Sequence, residues 1–237
     1  MLSLNTWSVD QIMESGSQAT LSAFTAESGD ALWELFTQSV PSCKSAAQGK
    51  TLDCLRQAST ADLLTAASVA GGKNPGEFAF IPVVDGQGGL IPDLPSTLLE
   101  KGSFSKVPFI AGTNLDEGTI FTTTSVNSDP SILKALTGQV GTLQSTNTAF
   151  ESAQSLFLNM LVSAYPDDPS QGSPYNTGNA TFGLSPFYKK AASIVGDASF
   201  QATRRAWISA AASNGVTTYG YLFTEPGQNT SSGGEFF

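Results

Sequence analysis

A short apolar run between turn residues, Val107–Ala111, restricts the fold of this chain more than any other segment. Apolar residues without polar alternation are typical of a strand buried on both faces, as in a parallel sheet. Two further segments, 9–14 and 217–223, also predict strands, and stretches with helical spacing of apolar residues separate the three. Strands that alternate with helices predict an α/β fold with parallel strands.

The spacing of apolar residues and the capping residues together predict the helices. They cover 28–40, a segment opened by Ser59, 95–100, 129–138, 148–165, 188–195 and 198–214. Asp197 is a good N-cap for the last of these, and Gly215 is placed to end it. The chain shows no domain linker, so we expect one partial domain over residues 1–237, with a disordered tail at 228–237.

The charge balance narrows the range of partners. The net charge is -9, and an acidic protein repels phosphate backbones, so nucleic acid is not an expected partner. The pairs Arg204-Arg205 and Lys189-Lys190 lie in predicted helices, where we expect solvated or salt-bridged faces. No stretch approaches 18 consecutive apolar residues, so we expect no transmembrane segment. The sequence leaves the oligomeric state open.

The scarcity of histidine and cysteine limits the chemistry. The chain contains no His, whereas most nucleophilic hydrolases use His as their general base. Two cysteines and no His cannot build a zinc site, so no metal site is expected. Cys43 and Cys54 have ten residues between them, and spacing alone leaves a disulfide and two free thiols equally open.

An acidic segment, Gly112–Thr119, directly follows the central predicted strand. In α/β sheets, functional residues lie in loops just past the carboxyl ends of strands. A carboxylate there can orient a catalytic His, although an acidic surface turn has the same appearance. The residues alone leave both interpretations open.

Several motifs, in order along the chain, resemble those of one family. Asn114–Thr119, preceded by Val-Pro-Phe-Ile-Ala-Gly, resembles the acid-residue motif of type-B carboxylesterases, fungal lipases and cholinesterases. The other matching segments are Ile12–Ser17, Ser42–Arg56, Pro82–Asp93, Tyr165–Ile208 and Tyr219–Phe223. The resemblance covers roughly residues 9–227, and its fungal members match most closely over 165–208.

The resemblance implies a partial α/β-hydrolase fold, the C-terminal half of a mostly parallel sheet with flanking helices. It implies a disulfide between Cys43 and Cys54, and it makes Glu117 the acid member of a Ser-Glu-His triad. The implied substrates are small-molecule or lipid carboxylic esters, hydrolysed without a cofactor. It also implies an extracellular protein, although residues 1–10 lack the features of a signal peptide.

The chain departs from the family at the other catalytic parts. The nucleophile elbow G-x-S-x-G is absent, and Met13 stands where the nearest similar segment would need a glycine. Ser15, in that segment, is either a hydroxyl beside the Glu117 carboxylate or an ordinary serine at a strand end. The oxyanion-hole donors of the family also belong to segments that do not match.

Three interpretations of the function follow. The chain is a fragment of an ester hydrolase and is itself inactive, or it is a non-catalytic binding or adhesion-type member of the fold, or it is a truncated gene-model product. In a fragment, strand 9–14 would present an open apolar edge, so we expect poor stability. Asn179 and Asn229 lie in glycosylation sequons, and we expect Asn179 to be exposed in the loop at 166–185.

Overall fold

The structure is a computed structural model that describes residues 11–18, 20, 24–47, 49–72, 80–139 and 148–225. The chain forms two compact units: Met1–Ser22 together with Pro95–Phe237, and Ala23–Leu94. Each unit has its own sheet and its own buried cluster. The tail at 228–237, with Asn229, lies outside the described residues.

The helices and strands of the described residues alternate along the chain. In order, they are β1 (Gln11–Glu14), β2 (Phe24–Thr25), α1 (Ala26–Ser39), α2 (Thr51–Leu55), α3 (Thr60–Gly72), β3 (Val83–Val84), α4 (Pro95–Glu100), β4 (Phe109–Asn114), α5 (Gly118–Phe121), α6 (Asp129–Gln139), α7 (Thr148–Ser163), a 3-10 turn (Pro169–Gln171), α8 (Pro186–Gly196), a π-helical turn (Asp197–Gln201), α9 (Ala202–Ser213) and β5 (Thr218–Phe223). The α/β class predicted from the sequence is confirmed.

The larger unit is built on a three-stranded parallel sheet with β4 in the centre, in the order β1-β4-β5. Residue Phe109 of β4 pairs with Gln11 of β1 and with Thr218 of β5. These are the three strands expected from the sequence. All three run in the same direction, so their carboxyl ends meet at one edge of the sheet.

Helix α9 packs against β4 and anchors the sheet. The buried cluster there contains Phe109, Ala111, Ala211 and Val216. The Trp207 ring stacks on the Phe109 ring with centroids 4.9 Å apart. This packing fixes the central strand from the helical side, because close-packed aromatic contacts tolerate little displacement.

Helix α8 is the most deeply buried helix of the described chain, and its two lysines are not solvated. Lys189 is 1% exposed and Lys190 is 6% exposed. Lys190 donates to Asp129 at 2.8 Å and to Asp167 at 2.7 Å, so the salt-bridged alternative holds for this residue. Lys189 donates to neutral oxygens instead, at Thr177 Oγ1 and Gly178 O. The helix is enclosed by α5, α6 and α7, which helical spacing within α8 alone cannot reveal.

The predicted N-cap role of Asp197 is wrong. Helix α8 continues through the π-helical turn into α9. Asp197 directly follows the last residue of α8 and has helical backbone angles. A continuous helix already supplies partners for its backbone N–H groups, so no cap is needed. The Asp197 carboxylate accepts the Tyr165 hydroxyl at 2.8 Å instead.

The smaller unit contains α1, α2, α3 and the short parallel pair β2-β3. Cys43 and Cys54 form a disulfide, as the family resemblance implies, and Cys43 is buried with Val40, Leu55 and Ala66. A turn follows β3, closed by the Gly89 N–H, which donates to Gly86 O at 3.0 Å, and Gly86 has a φ of 78° that favours glycine. The backbone N–H of Leu90, with that of Ile91, holds the pKa of Asp85 below its usual value.

Candidate functional site

The Glu117 carboxylate lies in the turn between β4 and α5, at the carboxyl edge of the larger unit's sheet. Glu117 is only 7% exposed. Burial of a charged or polar group is costly unless it is hydrogen-bonded. The partners of this side chain therefore define the site.

Two donors reach one oxygen of Glu117. Oε1 accepts the Ser15 hydroxyl at 2.5 Å and the backbone N–H of Asn114 at 2.7 Å. The side-chain amide of Asn114 also donates to Ser15 Oγ at 3.3 Å. Of the two interpretations of Ser15 left open by the sequence, the structure shows the hydroxyl against the carboxylate. Its part in any reaction stays a prediction.

The parallel pairing of β1 and β4 brings these residues together although they are 102 positions apart. Glu14 pairs with Gly112, and the Ser15 N–H donates to Gly112 O at 3.0 Å, one step past the end of β1. Ser15 has a φ of 60°, a left-handed conformation that is uncommon outside glycine. This backbone turn directs the chain out of the sheet at the position of the carboxylate.

A further group of polar side chains holds the end of β4 from the side of α9. Gln201, in the π-helical turn, accepts the Thr113 hydroxyl at 2.9 Å and donates to Asn114 O at 3.0 Å. Arg204 donates to Gln201 Oε1 at 3.1 Å and to Tyr221 O of β5 at 3.0 Å. Sequence reasoning missed Gln201 and placed Arg204 on a plain helix face. The only available signal was the basic pair itself.

Asp116, next to Glu117, fixes the long loop between α7 and α8. Its Oδ1 accepts the Ser173 hydroxyl at 2.6 Å and the Tyr175 N–H at 2.9 Å. Lys189 of α8 also holds this loop, because its amine donates to Thr177 Oγ1 and Gly178 O. Burial lowers the pKa of Lys189, and the charges of Asp116 and Asp168 partly offset this.

Helix α5 approaches α8 so closely that Gly118 has no room for a side chain. A Cβ at Gly118 would lie 1.9 Å from Ala192 O. The Tyr188 hydroxyl also donates to Thr119 O at 2.7 Å, and burial raises the pKa of Tyr188. The turn that carries Glu117 is therefore clamped by β4 on one side and by α8 on the other.

The arrangement can hold a hydrogen-bond donor, such as an imidazole N–H, in a fixed orientation. It contains a buried, oriented carboxylate, but the chain has no His to use it. Cys43 and Cys54 belong to the other compact unit. Asn179 is exposed in the loop before α8.

Other kinds of site are not found in the described part of the chain. Among residues 11–18, 20, 24–47, 49–72, 80–139 and 148–225, no three His, Cys, Asp or Glu residues are grouped as metal ligands would be. No helix within those ranges has the length and apolar character needed to cross a bilayer.

Comparison with known proteins gives one consistent match. The sequence profile described as "Carboxylesterase family" matches residues 6–235. Lipase 2 of Geotrichum candidum is 32% identical over 222 residues, which cover 90% of this chain and 36% of that protein. Secreted triacylglycerol lipase LIP1 of Gibberella zeae is 35% identical over 179 residues, covering 73% of this chain and 28% of that protein. The chain thus spans about a third of the length of these relatives.

A solved structure has the same fold. Aspergillus niger EstA superposes with a TM-score of 0.60 at 22% identity, over 89% of this chain and 37% of that one. This likeness and the family profile together confirm the α/β-hydrolase fold implied by the sequence motifs.

Proposed function

This chain belongs to the carboxylesterase family, and we propose that it supplies the acid residue, Glu117, to a serine ester hydrolase. The substrates are small-molecule or lipid carboxylic esters, and no cofactor takes part. Two named relatives that are lipases, from Geotrichum candidum and Gibberella zeae, support esters as the substrate class.

The observation that carries the proposal is the buried Glu117 carboxylate with Oε1 held by two donors. In a hydrolase triad, the acid keeps the imidazole in one tautomer and orientation and stabilises the imidazolium that forms. A buried carboxylate of fixed orientation at the carboxyl edge of a parallel sheet meets that requirement. Ser15 then acts as a positioning residue, because it contacts the carboxylate and not the substrate.

The remaining catalytic parts must come from residues other than these 237. The sequence has neither a His nor a G-x-S-x-G motif, so it provides no imidazole and no nucleophile elbow. The oxyanion-hole donors of such enzymes adjoin the nucleophile and an upstream glycine-rich loop. The proposal therefore includes that the chain alone is inactive and contributes a fragment of the catalytic machinery.

A chimera tests the role of Glu117. Residues 11–225 of this chain replace the matching segment of Geotrichum candidum Lipase 2, and hydrolysis of a nitrophenyl acyl ester is measured. We expect activity, and we expect Glu117→Gln to reduce kcat on the order of 10⁴-fold, as for acid members of other triads. Glu100→Gln, at an exposed acid on α4, is the matched control and should change nothing. Equal activity of the Glu117→Gln and parent chimeras would exclude the proposed role.

The absence of His favours a second candidate function, a non-catalytic member of the fold that acts by binding. A folded chimera without activity would support this candidate over the first. In that case Glu117 would be a structural carboxylate, and its replacement by Gln would alter stability alone.

Secretion is part of the proposal, and separate observations support it. The smaller unit contains a disulfide, and disulfides form and persist in oxidising compartments. Two named relatives, from Gibberella zeae and Botryotinia fuckeliana, are described as secreted lipases. An extracellular chain would also expose the Asn179 sequon to glycosylation.

A further inference from the structure

We propose that Gln201 is a positioning residue for Glu117, acting through Thr113 and Asn114. The inference rests on the proposed function, because it takes Glu117 as the triad acid. It assigns a role to the π-helical turn between α8 and α9, which neither the sequence motifs nor the family match explains.

A continuous set of hydrogen bonds joins Gln201 to the carboxylate. Gln201 Nε2 donates to Asn114 O at 3.0 Å, and the N–H of the same residue, Asn114, donates to Glu117 Oε1 at 2.7 Å. The Asn114 side chain continues to Ser15 Oγ, the second donor to Oε1. Asn114 is thus held at its carbonyl by Gln201 and holds the acid with its N–H and, through Ser15, with its side chain.

The π-helical turn places Gln201 at this position. π-helical segments are rare and occur frequently at functional sites. Gln201 is the last residue of the turn at Asp197–Gln201, directly before α9, and Arg204 follows one helical turn later on the same face. Both side chains therefore point to the end of the sheet, where β4 and β5 finish.

The chemistry of the contact requires an amide. Gln201 Oε1 accepts twice, from Thr113 Oγ1 and Arg204 Nη2, while Nε2 donates to a carbonyl. A carboxylate of the same size lacks the donor, and an apolar side chain lacks both functions. Only Gln among the ordinary side chains of this length offers an acceptor and a donor side by side.

Arg204 holds the side-chain amide of Gln201 in place. Its guanidinium bridges Gln201 Oε1 and Tyr221 O, and so connects the turn to β5. The Arg204 Nε is buried without a hydrogen-bond partner among the described residues. An unpaired buried donor costs free energy, so the geometry of this side chain is set by its two terminal contacts.

The test reads Glu117 directly and does not require activity. The full chain is labelled with glutamate carrying ¹³C at the side-chain carboxyl, and the Glu117→Gln variant assigns its signal. We expect Gln201→Leu to shift the Glu117 carboxyl resonance by more than a linewidth. Gln171→Leu is the matched control, since Gln171 donates to half-buried Asp168 and should leave the resonance in place.

A milder pair of variants covers the case in which Gln201→Leu does not fold. Thr113→Val removes one hydrogen bond to Gln201 at constant shape and should shift the Glu117 signal less. Thr137→Val removes a hydroxyl that donates only to Leu133 O of its own helix, α6, and should not shift it.

A purely structural Gln201 would give a different result. Gln201→Leu, or Thr113→Val, would lower the melting temperature while the Glu117 carboxyl resonance stayed unchanged, and this outcome would overturn the inference. The outcome is separate from the proposed function. The Glu117→Gln chimera reports whether the carboxylate is catalytic, whereas the resonance reports only whether Gln201 sets its environment.

Discussion

Neighbouring lysines of α8 show how far local surroundings decide the behaviour of one residue type. Burial lowers the pKa of Lys189, whose amine meets neutral oxygens. Burial also acts on Lys190, but hydrogen bonds to Asp129 and Asp167 outweigh it and raise the pKa of that amine. The loss of stability on replacing Lys190 should therefore depend on pH in a direction that can be predicted.

Lys190→Met should destabilise the chain near neutral pH. A group whose folded pKa is raised contributes stability in full below its unfolded value, 10.5 for this lysine, and loses it as pH rises through the folded value. The partners Asp129 and Asp167 are partly exposed, so we expect a modest loss of about 1–2 kcal/mol. The difference in melting temperature from the parent chain should stay constant from pH 7 to about 10.5 and shrink at higher pH, so that the two converge. Lys134→Met, at an exposed lysine of α6, should show no such convergence.

Asn179 should carry a glycan when the chain is secreted from a eukaryotic cell. The side chain is exposed, and Lys189 holds the backbone of the adjacent residue Gly178 in place. Intact-mass measurement should show endoglycosidase-sensitive mass that Asn179→Gln removes. Asn176→Gln, at an exposed asparagine outside any sequon, should not change it. An unmodified Asn179 peptide from secreted protein would contradict this expectation.

At the scale of elements, the disulfide of the smaller unit should contribute strongly to its stability. The bridge between Cys43 and Cys54 closes a short loop, which in the chain-entropy model stabilises by roughly 2–3 kcal/mol. The Cys43→Ala/Cys54→Ala double variant should unfold at a lower denaturant concentration. Two free thiols in the denatured, unreduced chain would show that the bridge does not form.

The contact between α5 and α8 should be intolerant of one methyl group. At Gly118, a Cβ would meet the backbone of α8 at Ala192, and neither helix can yield locally. We expect Gly118→Ala to cost about 1–3 kcal/mol, measured by chemical denaturation. Gly71→Ala, in α3 with open space around it, should be neutral or slightly stabilising. Equal stability of both variants would mean that the helices separate freely.

The elements that the sequence predicted are those with strong local signals. Helix α4 has the bounds predicted from the sequence, and β4 overlaps the apolar run that predicts a strand. The pair β2-β3 and the short helix α5 were missed, since two- to four-residue elements show no period. The burial of Lys189 and the helical continuation at Asp197 depend on α5, α7 and Tyr165, which no window of sequence contains.

At the scale of the whole molecule, the chain by itself should have no esterase activity. Glu117 can support an imidazole, but the sequence contains none. Turnover of a nitrophenyl acyl ester should match the buffer blank, and Glu117→Gln should change nothing. A fluorophosphonate probe should leave all serines, including Ser15, unlabelled. Hydrolysis above background that Glu117→Gln abolishes would reveal a base other than His.

The hydrogen bond between Ser15 and Glu117 depends on the register of β1 against β4. The two residues meet only if Gln11 aligns with Phe109, because a slip by one position would turn every β1 side chain to the opposite face. Pairing residues 102 positions apart costs loop-closure entropy that the contacts within a helix do not. A chain that pairs its strands in the wrong register would thus still contain Glu117, but the carboxylate would lack its hydrogen bond from Ser15.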